Sequence, residues 1–381
     1  MRVTSLHLEQ FRSYEALELP FSPAESVHVL IGPNAAGKTN ILEALGVLSL
    51  TKSCQGVEEE DLVRWGAQHY RVRASVLSDD GTELTLEVAS QFAPRRRKVC
   101  FRNDVQIPMG EMVGTLPVVF FLPQQLTLFT GPPQQRRQFL DQLLCQVSHA
   151  YLQKLTQYMR ILKQRNSLLR DIAQGRASVH GLAVWNAQLA EAGAYITLKR
   201  LELVEMLQCT LGEELSSFGE AGESAALVYE RKGEARDLPA MQEELLAQLE
   251  HYSERDLLLQ ATSVGPHRED WRLDIDGRSL PTFASRGQQR TAVVALLFLQ
   301  VSYLELRRGE KPIVLLDDVF SELDDMHQEA LLRSFDGYQV FVTATHVPPE
   351  LHGARLWAVG SGTVAKYEQQ DQKHSIASRV R

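Results

Sequence analysis

Residues 32–39 hold the group of side chains with the most specific chemistry in this sequence. They match the spacing G-x-x-x-x-G-K-[ST], in which Gly32 and Gly37 permit backbone turns that a Cβ atom would block. The N–H groups of such a loop point inward and bind phosphate oxygens. Lys38 would then reach the β- and γ-phosphates, and the hydroxyl of Thr39 would bind Mg²⁺. The segment therefore predicts a site for a nucleoside triphosphate with magnesium.

The residues on either side favour this interpretation over an ordinary glycine-rich turn. Val27–Ile31 is a short apolar run typical of a strand, and residues 39–45 begin a helix. The N-terminal end of that helix would face the anion with its positive dipole. We expect the nucleotide to contact nine consecutive residues: Gly32, Pro33, Asn34, Ala35, Ala36, Gly37, Lys38, Thr39 and Asn40.

A second candidate group follows an apolar run at residues 313–316, which ends in Asp317 and Asp318. Successive residues of a strand point to opposite sides, so the two carboxylates can serve different purposes. We assign Asp317 to Mg²⁺, directly or through water, and Asp318 to the attacking water as general base. Paired acids at a strand end are common, so alone they are a weak signal. Together with the phosphate loop they strongly indicate a site for ATP hydrolysis.

Ser285 begins a third group, because Gln288 stands three residues later and a long apolar helix follows. This spacing is a capping box, in which the two side chains bond each other's backbone N–H. One interpretation is a helix start and nothing more. The other is a second anion site, made by a serine hydroxyl at a helix N-terminus.

The composition fits a cytoplasmic globular protein with two or three lobes. The chain has 381 residues, 44% hydrophobic and 23% charged, with a net charge of −8. No apolar run approaches the length of a membrane span, and the first residues lack the apolar core of a secretion signal. The cysteines lie too far apart for a zinc site or disulfide framework: Cys54, Cys100, Cys145 and Cys209.

The acidic total hides a separation of charge. Residues 131–170 contain a single acid, Asp141, whereas acids dominate residues 241–260. A basic face for nucleic acid can therefore coexist with the negative sum, although a solvated helix surface is an equal alternative. The bases of this region are Arg136, Arg137, Lys154, Arg160, Lys163, Arg165 and Arg170.

The hydrophobic pattern predicts an α/β protein in three parts, 1–130, 131–310 and 311–381. The first contains strands at 3–31, a hairpin around residues 79–81 and a buried strand at 116–121. In the second, apolar steps of three and four from Leu140 to Leu162 predict one long helix. A similar run from Leu182 to Leu211 would pair with it as an antiparallel hairpin. Short strands at 223–281, a helix at 287–306 and buried strands at 313–316 and 340–342 are expected to follow.

These groups together resemble the ABC-type ATPases. Their Ser-x-Gly-Gln signature corresponds to Ser285, Gly287 and Gln288, and contacts the γ-phosphate of ATP held by a partner subunit. The resemblance further implies that residues 321–324 cross a dimer interface and that His346 is the switch histidine, although a histidine after a strand is often structural. It also implies a glutamine that senses Mg²⁺ and the γ-phosphate, either Gln124 or Gln125, and we take Gln124 as the candidate.

At the level of the whole chain, the sequence resembles the bacterial RecF recombination-mediator family, relatives of the SMC and DNA-repair heads. The segments that carry this resemblance occur in order along the chain: 6–14, 37–44, 121–141, 265–270, 287–290 and 316–324. The first of them includes Arg12, to which the resemblance gives a nucleotide contact. The chain departs from the family at Ala35, where glycine is usual, and at Gln124, where an acid is usual.

The resemblance implies an ABC-type head with a central mixed sheet and a second lobe that carries a helical hairpin. Two chains would enclose ATP and Mg²⁺, and the ATP-dependent homodimer would bind duplex DNA at gap junctions. It would act with RecR and RecO to help load RecA, with slow, DNA-dependent hydrolysis. Two alternatives are an SMC-like head that bridges DNA and a small-molecule phosphotransferase, although the latter has no use for Ser285, Gly287 and Gln288.

Overall fold

The computed structural model describes residues 1–218, 224–321, 323, 328, 331, 334–347, 351, 353–360 and 362–367. Glu322 and Asp324 of the predicted interface loop, and the tail that follows Tyr367, lie outside these residues. In the described part of the chain, none of the helices is both long and apolar enough to cross a membrane.

The described part of the chain contains strands and helices that occur in runs. The strands are β1 (Arg2–Phe11), β2 (Tyr14–Pro20), β3 (Val27–Ile31), β4 (His69–Leu77), β5 (Glu83–Gln91), β6 (Arg97–Arg102), β7 (Val105–Ile107), β8 (Val118–Phe121), β9 (Ala225–Glu230), β10 (Asp270–Ile275), β11 (Arg278–Ser279), β12 (Ile313–Leu316), β13 (Val340–Ala344), β14 (Arg355–Gly360) and β15 (Thr363–Lys366). The helices are α1 (Lys38–Leu50), α2 (Met109–Met112), α3 (Pro133–Val147), α4 (His149–Ala173), α5 (Leu182–Ser217), α6 (Leu238–His251), α7 (Ser253–Leu259), α8 (Leu280–Phe283) and α9 (Arg286–Arg308).

The central sheet has the strand order β15-β14-β3-β13-β12-β8, and all neighbouring pairs except β14 and β15 are parallel. Consecutive residues of its strands enter two different cores: Val29 packs toward the helices, and Leu30 packs toward α1 and the N-terminal sheet. Strands buried on both faces form nearly continuous apolar runs. The continuous apolar runs at 313–316 and 340–342 were therefore correct predictions of central strands.

The N-terminal sheet is antiparallel, in the order β2-β1-β4-β5-β6-β7. The predicted hairpin is confirmed, because β4 and β5 pair from His69–Gln91 to Leu77–Glu83, and Gly81 has a φ of 86° in the turn. This sheet covers α1 and one face of the central sheet with a shared apolar core.

The long helix predicted from residue 140 to 162 is in fact two helices, which is a correction. Ser148 has an extended backbone between α3 and α4, and its hydroxyl accepts a hydrogen bond from Tyr151 N as an N-cap. The apolar steps continue across this break because both helices face the same core. Periodicity alone therefore gave no sign of it.

The predicted antiparallel hairpin is formed by α4 and α5. The two helices are antiparallel, because residues later in α4 contact residues earlier in α5. Lys154 pairs with Glu191, and Arg165 bonds Asn186. The region 223–281, predicted as short strands, also contains α6 and α7, so that prediction was incomplete. Gly193 lies where α4, α5 and α6 meet, and a Cβ atom there would come within 2.7 Å of Leu245.

Residues 265–270 tie the base of this hairpin to α3. Arg136 donates two hydrogen bonds to the Asp270 carboxylate, at 2.8 and 2.7 Å. His267 Nδ1 lies 2.6 Å from the Tyr158 hydroxyl of α4, and Glu269 accepts from Thr197 of α5. The resemblance gave this segment no role, and its contacts are those of a structural junction.

Two members of the predicted basic face are not on the surface. Arg165 is fully buried, where it bonds Asp256, Asn186 and Thr262, and Arg136 is nearly buried beside Asp270. Removing one partner of a buried ion pair leaves an uncompensated charge, at a cost of about 3–5 kcal/mol. A substitution at Arg165 would therefore report on folding and not on DNA.

His28 lies in the middle of β3, fully buried and stacked on Phe341 with ring centroids 5.0 Å apart. Burial, with a smaller effect of the Arg2 charge, lowers the pKa of His28 to about 4. The unfolded chain therefore takes up this proton first as the pH falls. The contribution of His28 to the free energy of unfolding is constant above pH ~6.5. Between pH ~6.5 and ~4 it lowers that free energy by roughly 3 kcal/mol.

We expect His28→Phe, which keeps an aromatic ring in the stack, to remove that part of the acid sensitivity. Urea unfolding at a series of pH values should give a shallower decline below pH ~6.5 for the variant than for the natural sequence. His180→Gln, at an exposed histidine, is the control. Parallel curves for His28→Phe and the natural chain would contradict the assignment.

Candidate nucleotide-binding site

The phosphate loop occupies the turn between β3 and α1, as the sequence predicts. A Cβ atom on Gly32 would lie 2.2 Å from the carbonyl oxygen of Val359, so the packing of β14 requires glycine there. Gly37 has a φ of 105°, a conformation that side chains with a Cβ atom rarely adopt. Its carbonyl accepts a hydrogen bond of 3.0 Å from the buried Tyr14 hydroxyl.

The side chain of Lys38 folds back over its own loop. Its Nζ donates to the carbonyl oxygens of Gly32, at 2.7 Å, and Pro33, at 3.0 Å. The ammonium group is therefore held at the phosphate loop itself. A positive charge beside a loop that begins a helix suits a phosphate group.

Ala35 also lies in the left-handed region, with a φ of 64°. A residue with a Cβ atom pays roughly 1 kcal/mol for this conformation, whereas glycine pays almost nothing. This accounts for the departure noted at this position, because the turn itself favours glycine and tolerates alanine.

Asp317 follows β12 and is joined to the loop by its carboxylate. It accepts hydrogen bonds from the hydroxyls of Thr39, at 2.8 Å, and Thr343, at 2.7 Å. Burial raises the pKa of Asp317, an effect opposed by these two donors and by the Lys38 charge. The arrangement concentrates a carboxylate and a hydroxyl where a cation bound to phosphate would lie.

Thr343 is a residue that sequence reasoning missed. It lies on β13, and its hydroxyl both donates to Asp317 and accepts a 2.8 Å hydrogen bond from the Asp318 N–H. One side chain therefore fixes both acids of the pair, and Asp318 has a φ of 50° beside it. The available signal was a threonine at a fully buried position of an otherwise apolar strand.

The metal site expected at Thr39 and Asp317 fits the oxygen chemistry of Mg²⁺. Magnesium keeps several waters and usually takes one or two protein ligands together with substrate phosphates. The described residues contain no group of three or more carboxylate, histidine or cysteine side chains arranged to hold a metal ion. A direct Mg²⁺ contact from these two residues stays a prediction.

The turn between β1 and β2 supports the first turn of α1. Asn40 donates to Ser13 Oγ at 2.9 Å, and Arg12 bonds the buried Glu43 carboxylate at 2.6 and 2.9 Å. The remaining guanidinium nitrogen of Arg12 donates to the Asp61 carbonyl. All three guanidinium nitrogens of Arg12 are therefore bonded, to Glu43 in α1 or to Asp61. Its contact with the nucleotide stays a prediction.

Two other predicted groups lie past the carboxyl ends of β8 and β13, which are parallel strands on either side of β12. Gln124 is exposed in a short 3₁₀ helix (Pro123–Thr127) that follows β8, whereas the Gln125 side chain caps that helix by accepting from Leu122 N. Between Gln124 and Gln125, this favours Gln124 as the group able to meet a ligand. His346 is exposed just after β13, 3.2 Å from the Thr345 hydroxyl.

Ser285 forms the predicted capping box. Its hydroxyl oxygen accepts from Gln288 N at 3.2 Å, and Gln288 Oε1 accepts from Ser285 N at 3.0 Å. Ser285 and Gly287 are exposed, and a Cβ atom on Gly287 would lie in ordinary van der Waals contact with Ser285 Oγ, at 3.7 Å. In the described part of the chain, no hydrogen bond joins Ser285 or Gly287 to residues 32–40.

The fold and this arrangement define an ABC-type ATPase head. Residues 2–349 match the family described as the RecF/RecN/SMC N terminal domain. The DNA replication and repair protein RecF of Lachnoclostridium phytofermentans is 35% identical over 374 residues, which cover 96% of this chain and 100% of the relative. That of Symbiobacterium thermophilum is 36% identical over 379 residues, covering 96% and 98%. The chain belongs to the RecF family.

Solved structures agree with this assignment. Two structures of the recombination mediator protein RecF in the RecFOR pathway, with ATPrS and with ATP, have TM-scores of 0.89 and 0.88 at 30% and 31% identity. Each comparison covers 96% of this chain and, respectively, 98% and 97% of the other. An SMC head bound to the C-winged helix domain of ScpA has a TM-score of 0.54 at 15% identity, covers 97% of this chain and 98% of its own, and shares the fold alone.

We expect Thr343→Val to weaken Mg²⁺-dependent nucleotide binding about tenfold. Valine keeps the shape but removes the donor to Asp317 and the acceptor for Asp318 N–H, which should also cost about 1–3 kcal/mol of stability. Calorimetric titration with ATP, with and without Mg²⁺, measures the first effect. Thr343→Ser, which retains the hydroxyl, is the matched control, and a valine variant that titrates like the natural chain would contradict the role.

Proposed function

We propose that this protein is a DNA-dependent ATP switch of recombinational repair, in which two chains enclose each nucleotide. On one side, Lys38 and the loop bind the phosphates while Thr39 and Asp317 hold Mg²⁺. On the other, the partner's Ser285 signature contacts the γ-phosphate. Asp318 acts as general base on the attacking water, with Gln124 and His346 beside it.

The observation that carries this proposal is the division of the site. The phosphate loop and the acid pair form one hydrogen-bonded cluster, joined through Thr39 and Thr343. Ser285 is absent from it and stands exposed at the start of a 23-residue helix, ready to donate to an anion from elsewhere. A single chain thus supplies separate halves, and a second copy completes each one.

Such a division makes dimerisation depend on the triphosphate. Contacts between Ser285 and the γ-phosphate exist only while ATP is intact, so binding favours the dimer and hydrolysis releases it. The energy of hydrolysis is then used for timing, and slow turnover is expected. The RecF structures solved with ATP and ATPrS support ATP as the ligand.

We further propose that the ATP-bound dimer binds duplex DNA and gap junctions through phosphate contacts, without a sequence code. The related RecF structures belong to the RecFOR pathway, which supports RecO and RecR as partners. Help in loading RecA is part of the same proposal. A cytoplasmic location stays a prediction.

The alternatives find less support. An SMC-like head that bridges DNA shares the fold, but α4 has 25 residues and a length of only about 37 Å. That is short for a long coiled coil. A small-molecule phosphotransferase leaves the exposed Ser285 signature without a use. A comparison of ATP hydrolysis with duplex DNA and with small acceptor molecules distinguishes the two functions. Stimulation by DNA supports the switch, and stimulation by a small acceptor supports the phosphotransferase.

Sedimentation velocity with and without ATP tests the shared site. The natural chain should become a dimer with ATP, and Ser285→Arg should bind ATP but remain a monomer. Asp318→Asn should accumulate as an ATP-bound dimer because hydrolysis is blocked, whereas Lys38→Met should not bind ATP at all. A Ser285→Arg protein that dimerises as readily as the natural chain would remove the shared-site proposal.

A further inference from the structure

A groove of about 1720 Å³ lies between α3, α4 and the start of α5, and it is separate from the nucleotide site. Its floor includes Tyr158 and His267, the pair that joins α4 to residues 265–270. The walls are formed mainly by two helices that meet at Ser148. None of the nucleotide contacts proposed above lines this groove.

The walls of the groove are lined by two rows of glutamines. On α3, Gln134, Gln138 and Gln142 recur every four residues, so they share one face with a spacing of about 6 Å. On α4, Gln153 and Gln157 repeat the pattern, and Gln164 continues it. These are long side chains whose amides carry two N–H donors and no net charge.

Most of these amides are available to a ligand. In the described part of the chain, only the Gln153 amide is engaged, with His149 at 2.7 Å. Gln134, Gln138 and Gln157 are exposed, and their side-chain amides make no hydrogen bond to described residues. A row of uncommitted N–H donors fits a row of acceptor oxygens.

The charges of the groove add a modest positive bias. Lys52, Arg137 and Arg160 line it, while the carboxylate of Asp141 is neutralised by Arg200 through two hydrogen bonds of 2.9 Å. Glu111 is the remaining acid of the lining. Lys163, on the same helix as Arg160, is exposed but lies outside the groove.

We propose that this groove binds the backbone of duplex DNA mainly through the amide donors of its two glutamine rows, with few charged contacts. This rests on the proposed function and identifies the DNA-binding surface within it. Each cation that neutralises a phosphate releases counterions and steepens the salt dependence by about 0.9, whereas an uncharged amide releases none. The glutamines therefore contribute affinity that salt does not screen.

Fluorescence anisotropy with a labelled duplex and saturating ATP tests this between roughly 50 and 200 mM salt. Gln138→Ala/Gln157→Ala should weaken binding about tenfold at every salt concentration and leave the slope of log K against log salt unchanged. Arg160→Ala should instead make the slope shallower, by about 0.9 for each protomer. Basal ATP hydrolysis should be unchanged in both variants.

Matched controls exist outside the groove. Gln242→Ala on α6 removes an equivalent amide, and Lys163→Ala removes an equivalent charge from α4; both should bind like the natural chain. Two results would contradict DNA binding in the groove: natural affinity in the double glutamine variant, or a change of slope from Lys163→Ala equal to that from Arg160→Ala. Neither result would contradict the proposed DNA-dependent switch. Failure of the natural chain to bind duplex at all would overturn both.

Discussion

The carboxylate of Asp317 is the point on which the site depends. It is a charge buried at the end of an apolar strand, and a buried charge must be compensated. The hydroxyl of Thr39, in the first turn of α1 after β3, and that of Thr343, near the end of β13, supply that compensation. Because β3, β12 and β13 are parallel and adjacent, their carboxyl ends meet at one edge, and a single carboxylate can join all three.

The same edge explains where the remaining groups lie. β8 extends the parallel order and places Gln124 beyond its end, while β13 places His346 beyond Thr343. The antiparallel N-terminal sheet also supports this edge. Tyr14 donates a hydrogen bond to the Gly37 carbonyl, and Ser13 accepts one from Asn40. Ser285 belongs to a different unit, the start of α9, and this separation is what makes a second copy necessary in our account.

Much of this could be predicted from the sequence because the signals are local. The phosphate loop, the Ser285–Gln288 capping box and the buried strands are each contained within a few neighbouring residues. The errors arose where a residue's role depends on distant partners. Arg165 counted as a surface base until Asp256, 91 residues away, proved to neutralise it. Thr343 gained its role only through Asp317, 26 residues away. The break at Ser148 was hidden because the apolar steps do not change there.

A mixing experiment tests the central claim, that each site is built from two chains, most directly. The Lys38→Met variant has an intact Ser285 signature but a phosphate loop that cannot bind ATP. The Ser285→Arg variant has an intact phosphate loop but a signature that cannot contact the γ-phosphate. Each protein alone should be inactive, and an equimolar mixture should recover ATP hydrolysis, with one working site in each mixed dimer. A mixture as inactive as its two components would contradict the account.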